Sequence, residues 1–238
     1  MRSFTVERNI HTPDALWFLE HTPVFTQGQA GKKEHLLNTG DIPVIQSDRG
    51  GQVTYHGEGQ LMIYTLFDLK RLKFGIKDLV DSLQQSVIKL LKSYGIEGRT
   101  ECKAPGVYVN ETKIASIGLR VRQGFTYHGM SLNVCMDLEP FTRINPCGFE
   151  QLTMVQIQDF QQDITIEQVK KAFIPIFIQS VVEKSHVAKT TREREVCTDP
   201  HQNCSDNTAN EKNERSKHGC AVKPAIELLG NLLTEGCI

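Results

Sequence analysis

No stretch of this 238-residue sequence reaches the run of about eighteen apolar residues that a membrane-spanning helix needs. The opening MRSFTVERNIHTPDALWFLE has charges scattered through it and no apolar centre, so it does not read as a secretory signal. Neither sign of charge is in excess. Lys and Arg total 27 against 28 Asp and Glu, and a net charge of -1 argues against a general nucleic-acid binder, though not against a local basic patch. A disulfide framework is also missing. The seven cysteines are an odd number, and with no export signal they read as free thiols in a reducing cytoplasm. Internal repeats are absent. What is there is a hydrophobic fraction of 39% beside 23% charged residues, which excludes a wholly disordered chain. The length suffices for one large domain or two small ones, with a core that needs no disulfide or metal.

Composition shifts once, near Val187. From Lys189 to Gly219 only Val196, Cys197, Cys204 and Ala209 are hydrophobic. Burial there cannot offset the entropy of ordering, so residues 186–238 are expected to be a polar, disordered tail behind a domain over residues 1–185. Val222 to Leu233 could add a short amphipathic helix. Within the domain, Leu16–Leu19, Pro43–Gln46, Leu61–Leu66 and Thr126–Met136 read as strands, and GVYV-NET-KIASIGLRV as a hairpin turning at Asn110, Glu111 and Thr112. Apolar residues at helical spacing from Ile76 to Tyr94 predict a helix stopped by Gly95. Thr165 and Gln168 form a capping box for another, which Pro175 should kink or break. Hairpins and separate helices without strict βαβ alternation predict an α+β fold, a mixed or antiparallel β-sheet with packed helices.

Three segments are too polar and too rich in glycine to be plain core. DRGGQVTYHGEGQ, Asp48 to Gln60, reads as a loop whose amides can approach a ligand, or as a tight turn between strands. It has neither a P-loop ending nor the GxGxxG dinucleotide pattern. Lys113 opens the strand KIASIGLRV, where a lysine is ordinarily solvated. In RINPCGFEQL, Cys147 lies between Pro146 and Gly148, a turn that suits an exposed, positioned thiol and equally a passive loop cysteine. Cys135, in SLNVCMDL, reads instead as a buried strand residue.

Taken together, RGGQVTYH, KIASIGLR, YHGMSLNV and FTRINPCG resemble the signature segments of the lipoyl(octanoyl) transferase family, and HTPVFTQGQAG, His21 to Gly31, is also similar to that family. The likeness runs from about Leu16 to Ile178. It implies the fold of the catalytic domains of biotin and lipoate protein ligases. It also implies a reaction, octanoyl transfer from octanoyl-acyl carrier protein to a lysine of a lipoyl domain, as found on 2-oxoacid dehydrogenase E2 subunits and the glycine cleavage H protein. No cofactor, nucleic acid or membrane enters that reaction, and the cytoplasm is its expected place. By the same resemblance Cys147 matches the family's acyl-thioester cysteine and Lys113 its lysine partner. The substrate-contacting positions match Arg49, Gly50, Gly51, Gln52, Val53, Thr54, Tyr55 and His56, then Ser116, Ile117 and Gly118, then Gly129, Met130 and Ser131. Two departures stand out. The family begins with a strand and most of a helix before the position of Met1, and this chain runs on past the family's usual last helix.

The chemistry needs these residue types. A covalent intermediate splits a transfer between two proteins into two steps. A free thiol of pKa about 8.5 is only a few per cent ionised at pH 7, and an adjacent ammonium favours its thiolate. The same lysine can take the proton of the incoming amine. Amides near Gly148 or along Ser116 to Gly118 are candidate oxyanion donors. Gly118 and Gly129 would leave room for the acyl chain, with Ile117, Leu119 and Met130 as apolar walls. His56 and His128 read as groups that orient water or the amine, or as structural hydrogen-bonding residues. In the tail, Cys197, His201, Cys204, His218 and Cys220 are too irregularly spaced to count as a zinc site. The rivals are an ATP-dependent lipoate protein ligase, which needs no nucleophilic cysteine, a thioesterase, and a non-catalytic acyl-protein binding module.

Overall fold

The computed structural model describes residues 1–101 and 104–196, with side chains described to residue 186. Cys102 and the expected tail cysteines and histidines from Cys197 onward lie outside the described residues. So does the expected Val222–Leu233 helix. Among the described residues, no helix is long and apolar enough to cross a membrane.

Two sheets form the frame. The larger has five strands, β1 (Ala15–Leu19), β5 (Gln60–Leu66), β6 (Gly106–Val109), β7 (Thr112–Arg122) and β8 (Phe125–Asn133), in the order β1-β5-β8-β7-β6 and antiparallel throughout. The smaller has three, β2 (Val24–Gln27), β3 (Val44–Gln46) and β4 (Val53–His56), in the order β3-β2-β4, with β2 and β3 parallel. The fold is therefore α+β with mixed strand pairing, as the hairpin signals predict. The structure adds β2 and β4, which the polar, glycine-rich sequence around them hides.

Helix α1 (Arg2–Glu7) lies against β8, α2 (Leu69–Leu72) is a single turn, and α3 (Ile76–Ser93) and α4 (Ile166–Val196) cover one face of the larger sheet. In α3 the predicted stripe puts Leu79, Leu83, Val87, Leu90 and Leu91 in the core, while Val80 is half-buried and Ile76 is exposed. Asp78 accepts the N–H of Gly75 at its start, and Gly95, at φ +74°, turns the chain after its end. The Thr165–Gln168 capping box is present, each residue bonding the other's backbone N–H.

Pro175 does not break α4. Its ring is on the exposed side, while Phe173 and Phe177 stack at 5.5 Å and are buried against the sheet. That packing outweighs the single hydrogen bond that proline removes. The helix also continues to Val196, into the stretch whose composition predicts disorder. Cys135 differs from expectation as well. β8 ends at Asn133, and Cys135 is a half-buried residue in the bend that follows.

One irregularity in the larger sheet places a functional group. Across β6 and β7, Val107 pairs with Ala115 but Tyr108 pairs with Lys113, so Ile114 is an extra residue. Ile114 and Ala115 both point into the helix-side core. With strict alternation, the core positions Ala115 and Ile117 would put Lys113 on the core face too. The bulge reverses the parity and turns Lys113 to the opposite face, where the small sheet lies.

Candidate active site

Between the two sheets is a cavity of about 690 Å³. The larger sheet supplies Met62 and Tyr64 from β5, Ser116 and Gly118 from β7, and Gly129 and Ser131 from β8. The smaller supplies Val24, Thr26, Val53, Thr54 and His56. Lys113 and Cys147 close one end.

Lys113 Nζ is 3.2 Å from Cys147 Sγ. The lysine is 1% exposed, so the solvated reading does not hold. Its backbone is clamped on the other side, its N–H donating to the Thr153 carbonyl and its carbonyl accepting from Val155 N–H. Gly106 makes room for its stem, since a Cβ there would lie 2.4 Å from Lys113 Cε. Cys147 is in the left-handed region at φ 58°, ψ 12°, a conformation that costs a non-glycine residue about 1–3 kcal/mol. The surroundings hold it there. Asn145 N–H donates to the His35 carbonyl, and Gly148 and Phe149 N–H groups donate to Asn145 and Pro146. The Gly148 N–H is thus committed within its own turn.

Of the sequence-predicted contact residues, Arg49, Gly51, Gln52, Val53, Thr54, His56, Ser116, Ile117, Gly118, Gly129, Met130 and Ser131 all line the cavity. Gly50 and Tyr55 do not. Gly50 N–H is bonded to the Leu119 carbonyl, and the Tyr55 ring packs on Phe25 and Phe141 on the far side of the small sheet. Leu119 is turned into the helix-side core, so it is not a cavity wall, whereas Ile117 and Met130 serve both core and cavity.

Gly118 and Gly129, which both line the cavity, also stand where other backbone comes close. A Cβ on Gly118 would meet the Gly50 carbonyl oxygen at 2.9 Å, and one on Gly129 would meet the Ile63 carbonyl oxygen at 1.9 Å. They let backbones approach. Gly129→Ala should therefore force β8 away from β5 in the middle of the sheet and destabilise the protein by about 3 kcal/mol, read by urea unfolding. An unchanged midpoint would show that these strands separate freely.

Arg49 is nearly surrounded. It donates to the carbonyls of Thr26, Gly50 and Gln52 and to Thr26 Oγ1, which ties its loop to β2. Burial pushes its guanidinium down to about 10, and the charges of Cys147 and Tyr64 pull in the opposite direction. With these donors spent on the protein, Arg49 contributes positive potential and a rigid loop.

His56 belongs to a buried chain of bonds. Gln60 Nε2 donates to Asn133 Oδ1 and to the Tyr55 carbonyl, so Gln60 Oε1 faces His56 Nδ1 and must accept from it. Thr26 Oγ1 accepts from Arg49, leaving its hydrogen for His56 Nε2. The network thus dictates a neutral Nδ1–H tautomer. Burial agrees, driving His56 down to about 3, with the Gln60 bond opposing. Both nitrogens are occupied, so His56 serves as a structural post. Because the unfolded chain takes up a proton near pH 6.5 and the folded one does not, stability falls as pH drops below that value, by about 1.4 kcal/mol per unit. Between pH 7.5 and 5, urea unfolding should lose about 2 kcal/mol that a His56→Asn variant does not lose. Equal pH dependence in the two proteins would mean that His56 protonates while folded.

At the far end of the cavity, His128 Nε2 donates to Asp48 Oδ1 at 2.8 Å, and Tyr127 OH donates to Oδ2 at 2.8 Å. Burial works to raise Asp48, but the bonds from His128 and Tyr127 and the charges of His128 and Arg2 outweigh it and hold Asp48 below the usual carboxylate range. Burial keeps His128 below its ordinary value against the pull of Asp48. The pair is therefore an ionised carboxylate and a neutral imidazole near neutral pH. Tyr64, pushed up to about 12 by burial, shares a 2.7 Å hydrogen bond with His21, which burial lowers. Thr26, Tyr64, Gly106 and Tyr108 are functional-site neighbours that sequence reasoning does not single out. Thr26 lies within the HTPVFTQGQAG segment, and the others sit in ordinary strand sequence.

A cysteine and a lysine are thus in contact at one end of a half-open, largely apolar cavity. The family model for the lipoyl protein ligase A/B catalytic domain matches residues 2–178, and the chain belongs to that family. Within it the chain groups with the octanoyltransferases. It is 53% identical over 181 residues to the octanoyltransferase of Photorhabdus laumondii, covering 76% of this chain and 85% of the relative. It is 56% identical over 180 residues to that of Coxiella burnetii strain RSA 493, covering 76% and 74%. Among solved structures, lipoate-protein ligase A bound with ATP superposes with a TM-score of 0.64 at 17% identity, over 83% of this chain and 89% of that one. The bipartite lipoate protein ligase of Thermoplasma acidophilum gives 0.63 at 18%, over 81% and 83%. These two likenesses establish the shared fold.

Proposed function

We propose that this protein moves an octanoyl group from octanoyl-acyl carrier protein to the ε-amine of a lysine on a lipoyl domain, in the cytoplasm, through a thioester on Cys147. The observation that carries the reading is the 3.2 Å contact between Lys113 Nζ and Cys147 Sγ at the end of the cavity. An ammonium at that distance stabilises a thiolate by direct attraction. The thiolate attacks the carrier thioester, a C–S bond to Cys147 forms, and the carrier sulfur leaves as a thiol with the Lys113 proton, so Lys113 is a neutral amine in the acyl enzyme. The acceptor lysine then attacks, a C–N bond forms, and the Cys147 C–S bond breaks. The acceptor amine must shed a proton, and Lys113 is the base within reach. Met62, Ile117 and Met130 offer the apolar surface for an eight-carbon chain.

Adenylate chemistry does not call for a nucleophilic thiol, so the Lys113–Cys147 contact favours the transferase over the ATP-dependent ligase. Intact-mass measurement tests the reading. Mixed with octanoyl-acyl carrier protein, the enzyme should gain one octanoyl mass, labile to hydroxylamine and passed to added lipoyl domain without ATP. An absolute ATP requirement would move the protein to the ligase reading, and rapid hydrolysis without acceptor to the thioesterase reading.

A further inference from the structure

The buried ammonium of Lys113 has an unusual set of neighbours. Among the described residues it makes no ion pair with a carboxylate. Its partners are Cys147 Sγ at 3.2 Å and the ring of Tyr108, whose centroid is 5.2 Å from Nζ. Tyr108 stands directly across from Lys113 in the β6–β7 register, beside the bulge, and is 5% exposed. Its hydroxyl donates to the Ala104 carbonyl, and its backbone pairs with Arg99, so the ring is fixed at both ends. Arg99 also lies over this ring, at 5.9 Å, but it is partly exposed and already paired with Glu101 and Glu111. Lys113 has no such compensation.

An aromatic face suits this position better than the alternatives. A carboxylate there would hold the ammonium in a permanent ion pair and draw it from the sulfur. An aliphatic side chain would offer the ammonium no attraction, leaving Cys147 Sγ alone to hold it. A ring face attracts a cation without a full charge, and desolvation strengthens that attraction. We propose that Tyr108 is a positioning residue, its ring face holding the Lys113 ammonium beside Cys147 Sγ as the thiolate attacks and again once Lys113 has taken the acceptor's proton. This rests on the Cys147–Lys113 reading of the site.

The test compares Tyr108→Phe with Tyr108→Leu in the full chain. One readout is the rate of Cys147 alkylation by iodoacetamide against pH, which needs no acyl substrate. The other is single-turnover transfer from preformed octanoyl enzyme to lipoyl domain. The Phe variant keeps the ring and should track the unsubstituted protein in both. The Leu variant should alkylate at higher pH and transfer about five- to thirtyfold more slowly, the worth of a desolvated cation–π contact. A folded Leu variant that matches the unsubstituted protein would overturn the proposal. So would a Phe variant as impaired as Leu, which would assign the effect to the hydroxyl bond with Ala104. Should the Leu chain fail to fold, Tyr108→Met poses the same question. If the unsubstituted enzyme never accepts an octanoyl group, the functional reading fails, while the alkylation comparison still decides the role of Tyr108.

Discussion

Cys147→Ser should abolish octanoyl transfer and leave no octanoyl mass on the protein, while Cys135→Ser should transfer at the unsubstituted rate. The contrast is physical. Cys147 faces an ammonium at 3.2 Å and lines the cavity. Cys135 is half-buried beyond the end of β8, and burial, with the charge of Glu20, pushes its thiol up, away from the reactive thiolate. A serine hydroxyl in place of Cys147 ionises far less readily than a thiol. Loss of the attacking nucleophile in a covalent mechanism removes about 10⁴-fold or more of the rate. Single-turnover transfer to lipoyl domain, read by mass, measures it. Octanoyl label on Cys135, or on Cys102, would reassign the nucleophile.

Parts of this site are legible in the sequence because they depend on local chemistry. Pro146 and Gly148 announce a turn around Cys147, and the turn is there, with the cysteine in a left-handed conformation. The period of α3 and the Thr165–Gln168 box depend on neighbours three and four residues away. The less legible parts depend on distant backbone. Ile114 looks like an ordinary strand residue, and only pairing with β6 reveals that it is the extra one that turns Lys113 away from the core. Gly129 reads as space for a ligand, yet its need comes from Ile63, 66 positions earlier in the chain. β4 is hidden because its inward residues, Thr54 and His56, are polar. They face a cavity and a buried network, so hydrophobic alternation cannot betray the strand. Pro175 is the opposite case, a strong local signal overruled by the stacked Phe173 and Phe177.

Lys113→Arg should separate the two tasks proposed for this side chain. If Lys113 supplies positive charge to the Cys147 thiolate, a guanidinium can do so in part, and alkylation of Cys147 should stay faster at neutral pH than in Lys113→Ala. If it also takes the proton of the acceptor amine, a guanidinium cannot, because arginine does not deprotonate in proteins. Acylation by octanoyl-acyl carrier protein should therefore survive in the Arg variant, while transfer to the lipoyl-domain lysine falls by about 10²–10⁴, the usual worth of a positioned acid–base group. The octanoyl enzyme should accumulate and be visible by mass even with acceptor present. The Ala variant should be slow in both steps. Space bears on the design, since Gly106 leaves only a narrow gap at Lys113 Cε and arginine is bulkier at its tip. Thermal melts of both variants should accompany the rates, and the comparison of the two half-reactions within the Arg variant is unaffected by a uniform loss of folded protein. An Arg variant that transfers at the unsubstituted rate would show that Lys113 acts as a fixed charge alone, and the acceptor's proton would have to leave by another route.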